Sequence, residues 1–131
     1  MSSIFTKIIE GELPAYKIAE DDKFIAFLDI NPLAEGHTLV VPKQEVDYIF
    51  DMEAELYADL WKFAQSIAWA IDLSIPCKRV GVAVIGLEVP HTHIHLVPLQ
   101  EVSDINFSKP KLSFTKEEFE DTAAKIKEKL S

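Results

Sequence analysis

Cysteine, glycine and basic charge are all scarce in this chain, and each scarcity removes a class of explanation. A single cysteine, Cys77, among 131 residues cannot close an internal disulfide, so the stapled framework of a small secreted domain is excluded and a cytoplasmic location is expected. The four glycines form no G-x-G-x-x-G fingerprint and no Walker loop, and neither C-x-x-C nor H-E-x-x-H occurs. Lys and Arg number 13 against 22 Asp and Glu, a formal charge of −9. A surface this acidic repels nucleic-acid polymers. It does not repel a mononucleotide from a local pocket of donors, because the far charges are screened over ~8–10 Å. No apolar run approaches the ~18–20 residues that a bilayer span requires. Met1–Lys7 lacks a basic segment followed by an apolar one, so no signal peptide is expected either.

What is present suits one domain over residues 1–131. Ser3 is placed to cap a short helix running to Ile9, which Gly11 would end. Strands are expected over Tyr16–Glu20 and Lys23–Asp29, with a hairpin break at Asp21-Asp22, and over His37–Val41, closed by Pro42. Met52, Leu56, Leu60, Phe63, Ile67 and Ile71 recur every three or four residues, which predicts a helix over Met52–Asp72 with Asp51 as N-cap. Core packing is the plain reading of that stripe. Two further strands are expected over Arg79–Ile85 and His93–Leu99. Thr115-Lys116-Glu117-Glu118 is a capping box that opens a C-terminal helix. Strands, long helix, strands and helix in that order predict an α+β domain with a largely antiparallel sheet.

Three of the four histidines fall within five residues, His91-Thr92-His93-Ile94-His95. Side chains of a strand alternate between its faces. His91, His93 and His95 should therefore share one face, as a ladder of imidazoles with a ~6–7 Å step, while Thr92, Ile94 and Leu96 pack on the other. Imidazole titrates near neutrality and serves as nucleophile, base, acid or anion anchor. A row of three can divide those tasks around a phosphoryl centre, whose transfer depends on charge stabilisation and positioning. A metal site competes with this reading, because H-x-H on a strand is a zinc chelate that His37 could complete, although no neighbouring Cys, Asp or Glu fills out the ligand set.

His91-Thr92-His93-Ile94-His95-Leu96-Val97 resembles the His-φ-His-φ-His-φ-φ signature of the histidine-triad (HIT) superfamily, with Thr92 a mild departure at the first apolar position. The likeness extends to Ile4–Ile9 with Glu12–Ala15, to Phe27–Pro32, and to Gly36–Lys43, the segment similar to the one that carries the family's additional histidine. The resemblance implies a HIT-like fold and a nucleotide-binding hydrolase or transferase that needs no cofactor. It would act at the α-phosphate of nucleoside phosphoramidates or dinucleoside polyphosphates. His93 is implied as a nucleophile that forms a covalent nucleotidyl-histidine, His95 as donor to the phosphoryl oxygens, and His91 and His37 as helpers of the leaving group. Asp29 is implied to bind the ribose hydroxyls, and Ile4, Phe5, Ile8, Phe27 and Ile30 the base. A homodimer is implied as well.

The chain also departs from the family. Relatives commonly carry a longer loop where Ile85–Pro90 stands, and the position resembling its phosphate-binding Ser is Glu88; a carboxylate beside a phosphate is repelled by roughly 1 kcal/mol in water at 4 Å. Glu88 therefore points away, meets a cationic part of the substrate, or exchanges protons. The paired cysteines that hold a structural zinc in some relatives are absent, with Ser3 and Thr6 near their places. Beside the enzyme, two alternatives stand: a non-catalytic nucleotide-binding module with an altered phosphate loop, and a histidine metal site.

Overall fold

A computed structural model describes residues 2–130. Helix α1 (Ile4–Ile9) starts where Ser3 Oγ accepts the Thr6 amide N–H at 3.0 Å, and it ends before Gly11, whose φ of 80° lies in the left-handed region. Strands β1 (Lys17–Glu20), β2 (Phe24–Leu28) and β3 (Thr38–Pro42) follow, then helix α2 (Ala54–Ser74), strands β4 (Arg79–Ala83) and β5 (Ile94–Leu99), and helix α3 (Lys116–Glu128). The five strands form one antiparallel sheet in the order β1-β2-β3-β5-β4.

Two sequence expectations shift at α2. Asp51 is not its N-cap; it closes a single tight turn over Ile49–Asp51. Met52 and Glu53 are then extended, which lets Met52 reach the core before the helix begins at Ala54, and no side chain caps that start. At the other end the helix runs past Asp72 to Ser74, whose hydroxyl donates to the Ala70 carbonyl at 2.7 Å, and Pro76 follows beyond the end. The capping box at Thr115 and Glu118 is formed on both sides.

The sheet divides its side chains by parity. Even-numbered Phe24, Ala26, Leu28, Val40, Ile94 and Leu96 face α2 and α3, where Leu60, Ala64, Ile67, Ile71, Phe119, Ala123 and Ile126 complete the main core. Odd-numbered Ile25, Phe27, Leu39 and Val41 turn to the opposite face, against Phe5 of α1. Pairing of Phe27 with Leu39, and of Leu39 with His95, places the third triad histidine on this second face. The same alternation carries Asp29, His37 and His93 there. The main core thus fixes the backbone of residues whose other face is left for chemistry.

At the sheet's edge, β4 leaves one row of backbone groups unpaired, and Val82 on it is exposed. Trp69 and Leu73 are exposed on α2. Among the described residues no helix is long and apolar enough to cross a membrane.

Candidate active site

Strand β5 begins at Ile94 and not at His93 as the sequence suggests, so His91, Thr92 and His93 approach it outside the strand, with a bend at His91. The approach is pinned from the α2 side: the Thr92 amide and hydroxyl both donate to the Val46 carbonyl at 2.7 Å. The rings still share a face, with Phe5 lying 5.8 Å from the His91 ring and 4.8 Å from the His93 ring, and His93 lying 4.9 Å from His95. That last separation is shorter than the backbone step because the two rings lean edge to face.

Hydrogen-bond partners assign a tautomer to each ring, because a carbonyl can only accept and an amide N–H can only donate. His93 Nδ1 lies 2.8 Å from the His91 carbonyl. Nδ1 therefore carries the proton, and Nε2 keeps a bare lone pair. The Leu33 amide donates to His37 Nδ1 at 2.9 Å, so the His37 proton sits on Nε2 and is donated to His95 Nδ1 at 3.0 Å. His95 in turn must carry its proton on Nε2. Neither His93 Nε2 nor His95 Nε2 has a protein partner among the described residues, and neither is sealed from solvent. A lone pair and an N–H donor thus stand side by side at the surface of two rings that are otherwise 8% exposed.

His91 differs from both. It is 0% exposed, its Nε2–H donates to the Pro42 carbonyl at 2.8 Å, and its Nδ1 accepts from the Ser3 hydroxyl at 2.6 Å. Both of its nitrogens are committed inside the protein.

Burial sets the charge of the cluster. Desolvation holds His37 down at about 4 and His95 at about 3, with the neighbouring His93 and His37 also opposing charge on His95. His93 is lowered chiefly by burial, while its bond to the His91 carbonyl and the Glu88 carboxylate pull the other way. All three rings are neutral at neutral pH. Asp29 lies beside His37, 3.6 Å from carboxylate Oδ2 to Nε2, too long for a hydrogen bond. Its Oδ1 accepts the Asn31 amide at 2.8 Å, and burial raises its pKa.

The remaining expected residues separate into two groups. Phe5 and Phe27 are buried against each other at 5.8 Å in the smaller core, with Ile8 packed beside them. Ile4 and Ile30 are exposed, as is Glu88. His93 also lines a cavity of about 380 Å³ walled by Tyr48, Phe50, Trp61, Ile85 and Leu87. The Trp61 indole N–H is buried without an acceptor.

Asp29, His37 and His95 are the described residues placed to hold a cation, with one ligand atom from each within 4.8 Å of the others. The nitrogen of His37 in reach is Nε2, the one that carries the proton because Leu33 occupies Nδ1. A cation would have to displace that proton and break the Leu33 bond, so the protonation pattern opposes a metal ion here.

Sequence reasoning did not find Leu33, which acts through its backbone, nor Phe107, whose ring meets His95 edge-on at 4.7 Å and His37 at 6.2 Å. It also missed Glu45, joined to Ser3 and Thr6 behind His91. None of these carries a local signal, since each partner lies far away in sequence or is main chain.

The family model for the HIT domain matches residues 10–102. An uncharacterized HIT-like protein of Borreliella burgdorferi is 35% identical over 94% of this chain and 94% of its own length. Adenosine 5'-monophosphoramidase of Saccharomyces cerevisiae is 36% identical over 75% of this chain and 63% of its own length. Among solved structures, a Hit-like protein involved in cell-cycle regulation from Bartonella henselae superposes with a TM-score of 0.85 at 32% identity, over 98% of this chain and 97% of that one. The architecture is therefore the α+β HIT-like fold.

Neutral burial of His37 and His95 makes stability depend on pH with a definite sign. Their folded pKa values lie below the ordinary 6.5, so on acidification the unfolded chain takes up protons that the folded chain refuses. Stability should be fully present above pH 6.5 and fall as pH drops from 6.5 through about 4 and about 3. Urea unfolding of the wild type and of His37→Gln across pH 7 to 4 measures this. The variant should show the shallower decline, and parallel declines would contradict neutral burial of His37.

Proposed function

The chain belongs to the HIT domain family, and from that premise we propose that it is a nucleotide-binding hydrolase or transferase that attacks the α-phosphorus of its substrate with His93 Nε2. The observation that carries this reading is the bond from His93 Nδ1 to the His91 carbonyl, which leaves Nε2 as an unprotonated lone pair at an opening. A free imidazole divides itself between two tautomers and a protonated form; here the backbone makes the choice in advance.

In the first step a bond forms from Nε2 to phosphorus and the bond to the leaving group breaks, the electron pair leaving with it. His93 then bears a positive charge, which its Nδ1–H shares with the His91 carbonyl and which the Glu88 carboxylate stabilises. Glu88, unhelpful to a phosphate, suits the imidazolium that the phosphate creates. His95 Nε2–H donates to a non-bridging oxygen, held in that tautomer by His37. All three rings are neutral at neutral pH, so no imidazolium is at hand to protonate the leaving group: an amine takes its proton from water or departs already protonated, and a polyphosphate oxyanion departs without one. Nucleoside phosphoramidates and dinucleoside polyphosphates both fit this step. In the second step water, or another acceptor, attacks phosphorus as the P–Nε2 bond breaks; the electron pair returns to Nε2 and the acceptor's proton passes to solvent.

Asp29 Oδ2, free of backbone partners, accepts from the ribose hydroxyls. Ile4 and Ile30, both exposed, hold the base, with Phe5, Ile8 and Phe27 as the packed floor. His91 touches no substrate in this scheme; it holds the carbonyl that orients His93. The protein works in the cytoplasm as a homodimer, in which a second copy pairs with the open edge of β4 and covers Val82, Trp69 and Leu73.

Two measurements test this reading. Mass spectrometry of enzyme quenched during turnover of an adenosine phosphoramidate should find a nucleotide mass on the peptide containing His93, and His93→Ala should lose at least about a thousandfold in kcat. Turnover undiminished in His93→Ala would rule out the nucleophile. Sedimentation of the wild type should give a dimer at micromolar concentration, and Val82→Lys a monomer; a monomeric wild type would remove the proposed pairing.

A further inference from the structure

Three segments distant in sequence meet behind the reactive rings: the start of α1, the loop after β3, and the approach to β5. Glu45 Oε1 accepts the Ser3 amide at 2.8 Å and the Thr6 hydroxyl at 2.6 Å. Ser3 and Thr6 belong to α1, and Glu45 lies 42 and 39 residues away from them. The carboxyl of Glu45 is held down at about 2, first by the Thr6 hydroxyl and then by the Ser3 amide, so it stays an ionised acceptor throughout the neutral range.

Those two bonds decide where the remaining protons go. Thr6 spends its hydroxyl proton on Glu45. The Thr6 amide donates to Ser3 Oγ at 3.0 Å, leaving the Ser3 hydroxyl proton for His91 Nδ1 at 2.6 Å. The alternative acceptor for that proton, Thr6 Oγ1, is farther away at 3.3 Å. His91 is wholly buried, so a bare Nδ1 left without a donor there would be destabilising. With Nδ1 supplied, His91 presents Nε2–H to the Pro42 carbonyl at 2.8 Å. The result is a directed run of bonds from α1 to the end of β3, set by the shortest contact at each donor.

The run reaches His93 twice. The main-chain oxygen of His91 accepts the His93 Nδ1–H, and Phe5, carried by α1 between Ser3 and Thr6, rests its ring edge-on to His93 at 4.8 Å. Helix α1 has six residues, too few to persist by its own hydrogen bonds. Its seat on Glu45 and on the smaller core is what keeps Phe5 in place.

We propose that Glu45 and Ser3 are positioning residues: they seat α1 and His91 so that Phe5 and the His91 carbonyl hold the His93 ring at its angle of attack, a role that rests on the nucleophile reading of His93. Neither residue touches substrate. Their effect is on the aim of a group already bound in place, which acts on the chemical step more than on substrate affinity.

The test compares Glu45→Ala, Ser3→Ala and Glu45→Gln with the wild type. Two quantities are read: kcat and KM on an adenosine phosphoramidate, and amide hydrogen exchange resolved to residues 3–9 and to the strands. Glu45→Ala should lose ten- to a hundredfold in kcat, on the order of what slight misplacement of a reacting group costs, with KM nearly unchanged. Exchange across residues 3–9 should accelerate while the strands keep their protection. Ser3→Ala should lose kcat in the same direction. Glu45→Gln keeps an acceptor oxygen for both donors and should recover most of the rate and of the protection. Unchanged exchange in Glu45→Ala would overturn the proposal, as would a loss that Glu45→Gln fails to recover or that falls on KM alone. A wild type with no turnover on any nucleotide defeats the function reading instead, and the exchange data then decide by themselves whether Glu45 seats α1.

Discussion

Every neutral imidazole has one nitrogen that must find an acceptor and one that wants a donor, and burial makes both demands expensive to ignore. Four histidines are enclosed in this domain, and the backbone answers most of their demands: the Pro42 carbonyl for His91, the His91 carbonyl for His93, and the Leu33 amide for His37. The last of these passes its consequence to His95 through the His37 proton. Main-chain groups do not rotate, so the tautomers are set before any substrate arrives. A lone pair on His93 and a donor on His95 are what remain, and a phosphoryl group can use both at once.

That arrangement needs rigid strands that are free on one side. Alternation along β2, β3 and β5 supplies it. The even-numbered side chains bind α2 and α3 into the main core, and the odd-numbered ones carry Asp29, His37, His93 and His95. Glycine has a specific part in this at Gly36. Its φ of 92° lies in the left-handed region, and a Cβ there would stand 3.0 Å from Ile75 Cγ1. The chain can therefore turn tightly under α2 and deliver His37 to the mouth of β3. The smaller core on the second face, with Phe5 and Phe27 at its centre, then closes the far side of His93.

The legible part of this was the part that depends on period. Alternation of His91, His93 and His95 was readable because a strand has only two faces, and the α2 stripe was readable because a helix must bury one. Resemblance added His37 and Asp29, which no local pattern joins to the triad. What stayed hidden depends on contacts across long stretches of chain. The role of Ser3 as donor to His91 was invisible behind its plainer role as helix cap, and Glu45 gave no signal at all. The start of α2 was misplaced because Met52 belongs to the core but not to the helix. Sequence alone does not distinguish Phe5 and Phe27 from Ile4 and Ile30, yet the first two are packed inside and the latter two are exposed. Composition treats all four as apolar; only the fold separates wall from floor.

Nitrogen-15 NMR of the imidazole rings in the free protein at neutral pH reads the central claim directly. The account predicts His93 neutral with its proton on Nδ1 and a bare Nε2, beside a neutral His95 with its proton on Nε2. A His93 ring protonated on Nε2, or a His95 ring with its proton on Nδ1, would contradict it.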